Sequence, residues 1–342
     1  MHVALVGVTG YSGMILYQLL QQHPEVNQVD LYGHKNAKAQ SLATAVPQFI
    51  GSQAMIEPFA AEKIMAVDQV IFFATSAGVT TELAKTFIAA NFPVIDLSGD
   101  YRLRSRSSFK KWYHKEAPDQ AALQRAHYGL AEFHQASGQT YIANPGCYAT
   151  ATLLGLAPLV QQGLIEPDSI IADAKSGTSG AGKKLAANTH FTQTNENLQV
   201  YKVNQHQHIP EIMQQLQEWN SQVPAIQFTT TLLPITRGIM SSIYATVKQG
   251  VTTQALQHAF QDTYQEQPFV RVFTEQLPTL KQVIGTNFCD IGIVFNPITQ
   301  KVFVVSVIDN LLKGAGGQAI QNFNQLFSFP IASGLPQTPI LP

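Results

Sequence analysis

The sharpest chemical signal in the chain is a cysteine placed directly after a Pro-Gly turn and ahead of an apolar run, in the string NPGCYAT at residues 144–150. If that run is helical, Cys147 sits where the helix begins. There the unpaired backbone N–H groups and the positive end of the helix dipole favour thiolate over thiol, which makes a nucleophile near neutral pH. The alternative is a buried cysteine that packs as a small hydrophobe. Two histidines one residue apart, His206 and His208, occur in NQHQHIPEI, just before a helix whose first turn holds Pro210 and Glu211. A histidine near a reactive cysteine can maintain its thiolate and later exchange a proton, and Glu211, three residues past His208, can orient that imidazole. Surface histidines without a catalytic role are the alternative. The pair is too poor in companion ligands to specify a metal, so none is expected. The second cysteine, Cys289, falls inside a strand pattern without helix-start electrostatics and reads as packing.

These residues need elements to hold them. Residues 3–8 are a short apolar run, followed by GVTGYSG at residues 7–13 and then by helical apolar spacing over 14–22. A strand, a glycine turn and a helix form a phosphate-cradling unit: a backbone without side chains lets a pyrophosphate approach helix-terminal N–H groups. Gly7, Thr9, Gly10, Tyr11, Ser12 and Gly13 are thereby assigned to a dinucleotide, with a tight structural turn as the alternative. Strands are expected at 29–32, 70–74 and 93–97 and a helix at 80–90, an alternation that implies a Rossmann-type, doubly wound parallel sheet. The second strand ends in Gly33-His34-Lys35-Asn36 instead of an acidic residue. A cation at that point accommodates a 2′-phosphate, so NADP(H) is the expected cofactor, with His34 or Lys35 near the phosphate; a solvated basic loop is the alternative. Thr75 and Ser76 close the third strand and should line the cofactor crevice.

After Cys147 the pattern changes. A helix to about 162 and a strand at 170–174 lead into the small-residue and lysine-rich KSGTSGAGKK at 175–184, which suits an anion-binding or hinge loop. Strands are expected at 226–233, 239–248, 287–295 and 302–309, with a helix at 253–265. That is an α+β domain with a largely antiparallel sheet. A final helix at 316–327, preceded by DNLLKGAGG, should pack back on the first domain. The expected division is 1–146 plus 311–342 for the dinucleotide-binding domain and 147–310 for the catalytic domain.

Composition agrees with an α/β enzyme. A chain of 342 residues with 45% hydrophobic content can fill two cores. A net charge of −1 without like-charge runs leaves no footprint for nucleic acid or a membrane surface, so small molecules are the expected partners. Two cysteines make no disulfide framework, nothing N-terminal reads as a signal peptide, and no apolar stretch approaches the ~20 residues of a membrane span. A reducing cytoplasm is the expected compartment.

Taken in order, the motifs GVTGYSG, IDLSGDYRL, KWYH, YGLAE, ANPGCYAT, DAKSGTSGAGKK, HQHIPEI, LLPITRGI, TNFCDIG and IDNLLKGAGGQAIQN resemble those of the N-acetyl-gamma-glutamyl-phosphate reductases, the arginine-biosynthesis branch of the semialdehyde dehydrogenase group. The resemblance runs almost end to end. It implies that Cys147 forms a thioester with an acyl phosphate, that NADPH reduces it to the semialdehyde, and that the HxH segment supplies the acid-base histidine, with His208 favoured and His206 in support. It points to Arg102, Lys183 and Arg237 as the cations for phosphate and carboxylate, with Asn144 and Ser179 beside the substrate. It also brings Ser176, Gly177, Asn310 and Gly314 to the nicotinamide side of the cofactor, and it implies a homo-oligomer. The chain departs from the family pattern at Ser76-Ala77, where members carry Pro-His, and at Gln207, where they carry arginine. The rival readings are an aspartate- or aminoadipate-type semialdehyde dehydrogenase and a non-catalytic NADP-binding sensor.

Overall fold

The computed structural model describes residues 1–36 and 38–341. Two compact units emerge, Met1–Pro145 with Ala315–Leu335, and Gly146–Gly314 with a tail from Pro336. The expected boundaries therefore move. Residues 311–314 join the second unit, where the Gly314 N–H donates to the Asp309 carbonyl at 3.0 Å. The C-terminal tail does so too, because Asn287 donates to the Pro336 carbonyl at 3.0 Å and Ile340 to that of Ile284 at 2.9 Å.

The first unit is built on β1 (His2–Val6), β2 (Gln28–Tyr32), β3 (Gln40–Ser41), β4 (Met55–Glu57), β5 (Val70–Phe73), β6 (Val94–Asp96), β7 (His127–Tyr128) and β8 (Tyr141–Ala143). Their order across the sheet is β3-β4-β2-β1-β5-β6-β8-β7, parallel throughout except for β3 against β4. The chain winds outward from β1 through β2 to β4 and then crosses back to β5. The order of connection thus reverses between β1 and β5, the point where ligands bind in such sheets. All four residues of β5, VIFF, are buried, as expected of a strand covered on both faces. The helix expected at 80–90 is two short ones, Val79–Leu83 and Lys85–Ala89, that meet at Ala84.

The return helix Gly317–Leu326 joins this unit through amide side chains. Asn322, fully buried, donates to the Gly129 carbonyl at 2.9 Å and to Asn144 Oδ1 at 3.0 Å; Gln321 donates to Glu132 at 3.1 Å, and Gln325 to the Ala131 carbonyl at 2.8 Å. Gly129 has no alternative, since a Cβ there would lie 2.6 Å from Asn322 Nδ2.

The second unit holds β9 (Ile171–Ser176), β10 (Gln199–Tyr201), β11 (Gln227–Leu232), β12 (Ile239–Thr246), β13 (Val270–Phe273), β14 (Cys289–Asn296) and β15 (Lys301–Ile308), ordered β10-β11-β9-β12-β15-β14-β13. Only β9 with β11 and β13 with β14 pair in parallel, so the sheet is largely antiparallel as the sequence implies. The helix Cys147–Gln161 runs against β12 and β15, and every residue from Tyr148 to Val160 is buried. Such a helix is apolar all round because it is the centre of its unit. Gly155 permits the close approach: a Cβ there would lie 2.7 Å from Ile243 Cδ1. On the other side of the sheet, Ile171 pairs with Tyr244, Tyr244 with Phe303 and Phe303 with Val294, a cross-strand apolar row in which Ile171, Tyr244 and Val294 are each more than two-fifths exposed.

Replacing Asn322 with alanine leaves the Gly129 carbonyl and Asn144 Oδ1 buried without this donor, each worth about 1–3 kcal/mol. Asn322→Ala should lower stability by about 2–4 kcal/mol, read as a lower urea midpoint at unchanged m-value; an unshifted midpoint contradicts the assigned role.

Candidate active site

In the second unit the helix Cys147–Gln161 starts without a side-chain cap, with Gly146 at its N-cap position. Its first turn leaves the Tyr148 and Ala149 N–H groups without helical acceptors, while Thr150 donates back to the Gly146 carbonyl at 2.8 Å. Cys147 is half-buried at this start, in contrast with Cys289, which is fully buried with its sulfur 3.3 Å from Ser306 Oγ. The packing reading of Cys289 thus agrees with its setting. Two glycines clear the space around Cys147. A Cβ on Gly146 would overlap the His208 imidazole, and one on Gly314 would lie 2.7 Å from Cys147 Cβ.

The HxH segment is shaped by a loop with two left-handed residues, Lys202 (φ 47°) and Asn204 (φ 53°). Asn204 clips it to β11, accepting from the Phe228 N–H through Oδ1 at 3.0 Å and donating its own N–H to the Phe228 carbonyl at 3.0 Å. His206 then enters a buried aromatic box, with ring centroids 5.1 Å from Tyr148 and 4.7 Å from His208. Its Nδ1 accepts the backbone N–H of His208 at 3.2 Å. Burial, with the Lys202 charge as a lesser cause, drives the His206 pKa down to about 3, so this ring is held neutral. The two histidines are placed differently: His206 accepts within the segment, and the His208 imidazole packs against Gly146, the residue before Cys147. Glu211, expected to orient that imidazole, is fully buried and accepts the Gly146 N–H through Oε1 at 2.7 Å.

Tyr148 and Tyr201 join hydroxyls at 2.9 Å, a link between the Cys147 helix and β10 that sequence reading did not find. Burial pushes both phenols above their ordinary pKa, so both remain protonated. At the ends of β9, β12 and β15 lies a connected polar group. Asn310 accepts the Gly238 N–H at 2.7 Å and donates to Ser179 Oγ at 2.9 Å; Ser176 Oγ donates to the Gly177 carbonyl at 2.9 Å. A Cβ on Gly177 would collide with the backbone of Thr236 and Arg237. Arg237 Nη2 lies 2.8 Å from Oδ2 of fully buried Asp309, which also accepts from Gly285, Leu311 and Leu312. Asp309 was not singled out by sequence reading, although its place beside Asn310 in the DNLLKGAGG string was the available signal. Lys183 is exposed, in the loop between the short helical turns Thr178–Ala181 and Ala187–Thr189.

In the first unit the three glycines of the turn divide their work. Gly7 (φ 98°) would run its Cβ into the Ala74 carbonyl, and a Cβ on Gly13 would strike the Gly7 carbonyl, so both are fixed by backbone packing. Gly10 meets nothing nearer than 3.6 Å, which leaves an open face at the start of the helix Tyr11–Gln21. That helix has neither a side-chain cap nor an acidic residue in its first turn. An open, uncapped, uncountered helix start fits a dinucleotide pyrophosphate, with Thr9, Tyr11 and Ser12 on the same turn. His34 is exposed after β2, its Nδ1 accepting the Asn36 N–H at 3.2 Å, and Lys35 is exposed beside it. Thr75 Oγ1 lies 2.6 Å from Thr80 Oγ1 and Ser76 is exposed, in a loop organised by Asp100, which accepts from Gly78 at 2.6 Å and from Thr81 at 2.8 Å. The polar groups of Arg102 and Asn144 are engaged within the unit. The Arg102 guanidinium donates to the carbonyls of Asn144 and Leu97, both at 2.8 Å, and the Asn144 amide donates to the Ala315 carbonyl at 3.1 Å and accepts from Asn322.

Comparison with known proteins agrees with this division. Residues 2–140 match the family described as semialdehyde dehydrogenase, NAD binding domain, and residues 147–310 match semialdehyde dehydrogenase, dimerisation domain. Relatives named N-acetyl-gamma-glutamyl-phosphate reductase include those of Lactiplantibacillus plantarum, where the name carries the number 2, and Limosilactobacillus fermentum, each 57% identical over 342 residues and 100% of both chains. That of Listeria welshimeri is 50% identical over 344 residues, again covering 100% of both. Among solved structures, aspartate semialdehyde dehydrogenase II from Vibrio cholerae superposes with a TM-score of 0.69 over 96% of this chain and 98% of that one, at 17% identity. The Candida albicans aspartate semialdehyde dehydrogenase with NADP gives 0.65 over 95% and 97%, at 14%. At such identities the likeness is one of fold.

The neutral His206 makes stability depend on pH. Its folded pKa of about 3 lies below the ordinary value of 6.5, so the unfolded chain binds the extra proton between them. The stabilisation is complete above pH 6.5 and is lost as the pH falls toward 3. The wild type should lose up to about 1.4 kcal/mol per pH unit from this group across that window. His206→Gln should show a shallower acid decline in denaturant titrations, and parallel curves for the two proteins would contradict the assignment.

Proposed function

Because the chain belongs to the semialdehyde dehydrogenase family, among the N-acetyl-gamma-glutamyl-phosphate reductases, we propose that it reduces N-acetyl-gamma-glutamyl phosphate to the semialdehyde with NADPH, a step of arginine biosynthesis, through a thioester on Cys147. One observation carries the covalent route: a half-buried cysteine at a helix start, with the His208 imidazole packed on the preceding residue. The Cys147 thiolate attacks the phosphorylated carbonyl carbon, and the tetrahedral oxyanion is received by the Tyr148 and Ala149 N–H groups, which are fixed before charge develops. The C–O bond to phosphate breaks and leaves the thioester. When bound, the reduced nicotinamide supplies the hydride that this thioester takes up. Collapse of the resulting tetrahedral adduct releases the aldehyde and returns sulfur as thiolate beside His208, which holds the proton that keeps it in that form.

Arg237, its planar fork fixed by Asp309, holds the phosphate or carboxylate, with Lys183 as a second cation from its loop. Ser179 and Asn310 order the loop that carries them. Arg102 and Asn144, which also hold the end of β8, stand beside the substrate in this reading. The Gly7 to Gly13 turn takes the cofactor pyrophosphate, and His34 with Lys35 takes the 2′-phosphate. We assign self-association to the Ile171, Tyr244, Phe303 and Val294 row, an exposed apolar strip within the part of the chain that matches a dimerisation domain. Cys147 and Cys289 are both free thiols, which suits the cytoplasm, and no helix among the described residues is long and apolar enough to cross a membrane.

Cys147→Ser should reduce turnover by about 10⁴-fold or more while NADPH still binds, and the wild type should reduce NADP⁺ in a phosphate-dependent reaction with N-acetylglutamate semialdehyde over aspartate semialdehyde. Preference for the aspartate compound, or an active serine variant, overturns the reading. Tyr244→Asp should shift sedimentation toward monomer; an unchanged oligomer removes this face from the interface.

A further inference from the structure

Helix Ile209–Trp219 begins with His208 at the N-cap, followed by Ile209, Pro210 and Glu211, so Glu211 occupies the third helical position. A glutamate there ordinarily reaches back to the N–H of its own N-cap residue, completing a capping box. Here that N–H belongs to His208 and is taken by His206 Nδ1 at 3.2 Å. Glu211 serves another helix, its Oε1 accepting from Gly146 at 2.7 Å, the N-cap of Cys147–Gln161. The nucleophile's helix cannot supply such a group itself: its N-cap is a glycine and its third position is Ala149. The carboxylate is fully buried, so it is not a surface side chain resting on the nearest amide.

We propose that Glu211 is a positioning residue for the nucleophile, closing in trans the capping box that the Cys147 helix lacks, while His206 closes the one that Glu211 leaves. The Gly146 peptide is the last joint before Cys147, and holding its N–H fixes the direction in which the sulfur leaves the backbone. The same bond ties the His208 helix start to the Cys147 helix start, so both partners of the proton exchange are set by one carboxylate. The ionisable side chains of this unit gathered at the joint are Cys147, His206, His208, Tyr148, Tyr201 and Glu211 itself, with Lys202 acting on His206. His206 is held neutral and both phenols stay protonated.

The test separates position from charge. Glu211→Gln keeps an acceptor oxygen for Gly146 and removes the charge; Glu211→Met keeps the volume and removes both. The Met variant should lose about 100-fold in kcat, as displacement of a reacting group by about 1 Å does, with KM and NADPH affinity within about twofold. The Gln variant should recover to within about tenfold of wild type and keep the wild-type pH midpoint for alkylation of Cys147 by iodoacetamide. A Gln variant as slow as Met, with its alkylation midpoint displaced, would show that charge and not position is what Glu211 supplies, and a Met variant within about twofold of wild type would remove the role altogether. Should Glu211→Met not fold, Glu211→Gln decides alone: a loss of tenfold or less supports the inference, a larger one overturns it. The kinetic arm rests on the reductase reading, but alkylation needs no substrate and reports on the joint even if that reading fails.

Discussion

What the site depends on first is the absence of two side chains. Cys147 stands between Gly146 and Gly314, and a methyl group on either would occupy space taken by the His208 imidazole or by the cysteine's own Cβ. Hydrogen bonds elsewhere can be exchanged for others of similar strength. Overlap with a ring or a backbone-bound carbon cannot, because packed interiors have no slack of that size. The glycines thus let the His208 ring pack on the residue before Cys147 and the Gly314 backbone pack on Cys147 itself, and polar contacts set orientation. Orientation is supplied from both sides: Asn204 clips the histidine loop to β11, and Glu211 holds the peptide that precedes the sulfur.

Much of this was legible in the sequence, for reasons that can be named. Long elements with strong periodicity were placed to within one or two residues: the expected helix at 253–265 is Thr253–Tyr264, and the expected strand at 239–248 is Ile239–Thr246. The strands that escaped, such as Gln40–Ser41, His127–Tyr128, Gln199–Tyr201 and Val270–Phe273, are two to four residues long, too short for an alternation to register. Domain edges escaped for a different reason. The tail from Pro336 is held by backbone bonds from Asn287 and Ile340, and such bonds leave no trace in composition.

The site residues show the same split. A cysteine after Pro-Gly and a glycine turn after a strand are local patterns and could be read from the sequence, whereas Arg237 was reached through the family resemblance. Which glycine of the turn faces a ligand was not readable, since it depends on the carbonyls of Ala74 and Gly7 lying against the first and third and on nothing lying against Gly10. Arg102 and Asn144 were expected beside the substrate from the family resemblance alone. The structure engages them with the carbonyls of Leu97 and Asn144, which follow short strands, and with that of Ala315 before the last helix, and buried carbonyls require donors.

The two histidines illustrate why spacing alone cannot assign a proton carrier. Residues one apart at a helix start point in different directions, and the outcome turns on which direction is dry. His206 falls among Tyr148, Tyr201 and Phe228, where a charged imidazolium would lose its hydration and gain only ring edges and faces. It is better suited to accept a backbone N–H than to exchange a proton, and its lowered pKa follows from the same burial. A group locked in one protonation state cannot be the general acid of a reaction near neutral pH, because such a group must be populated in both forms during turnover. His206 is thus part of the frame that lets Glu211 reach across to the other helix, while the His208 imidazole packs against Gly146.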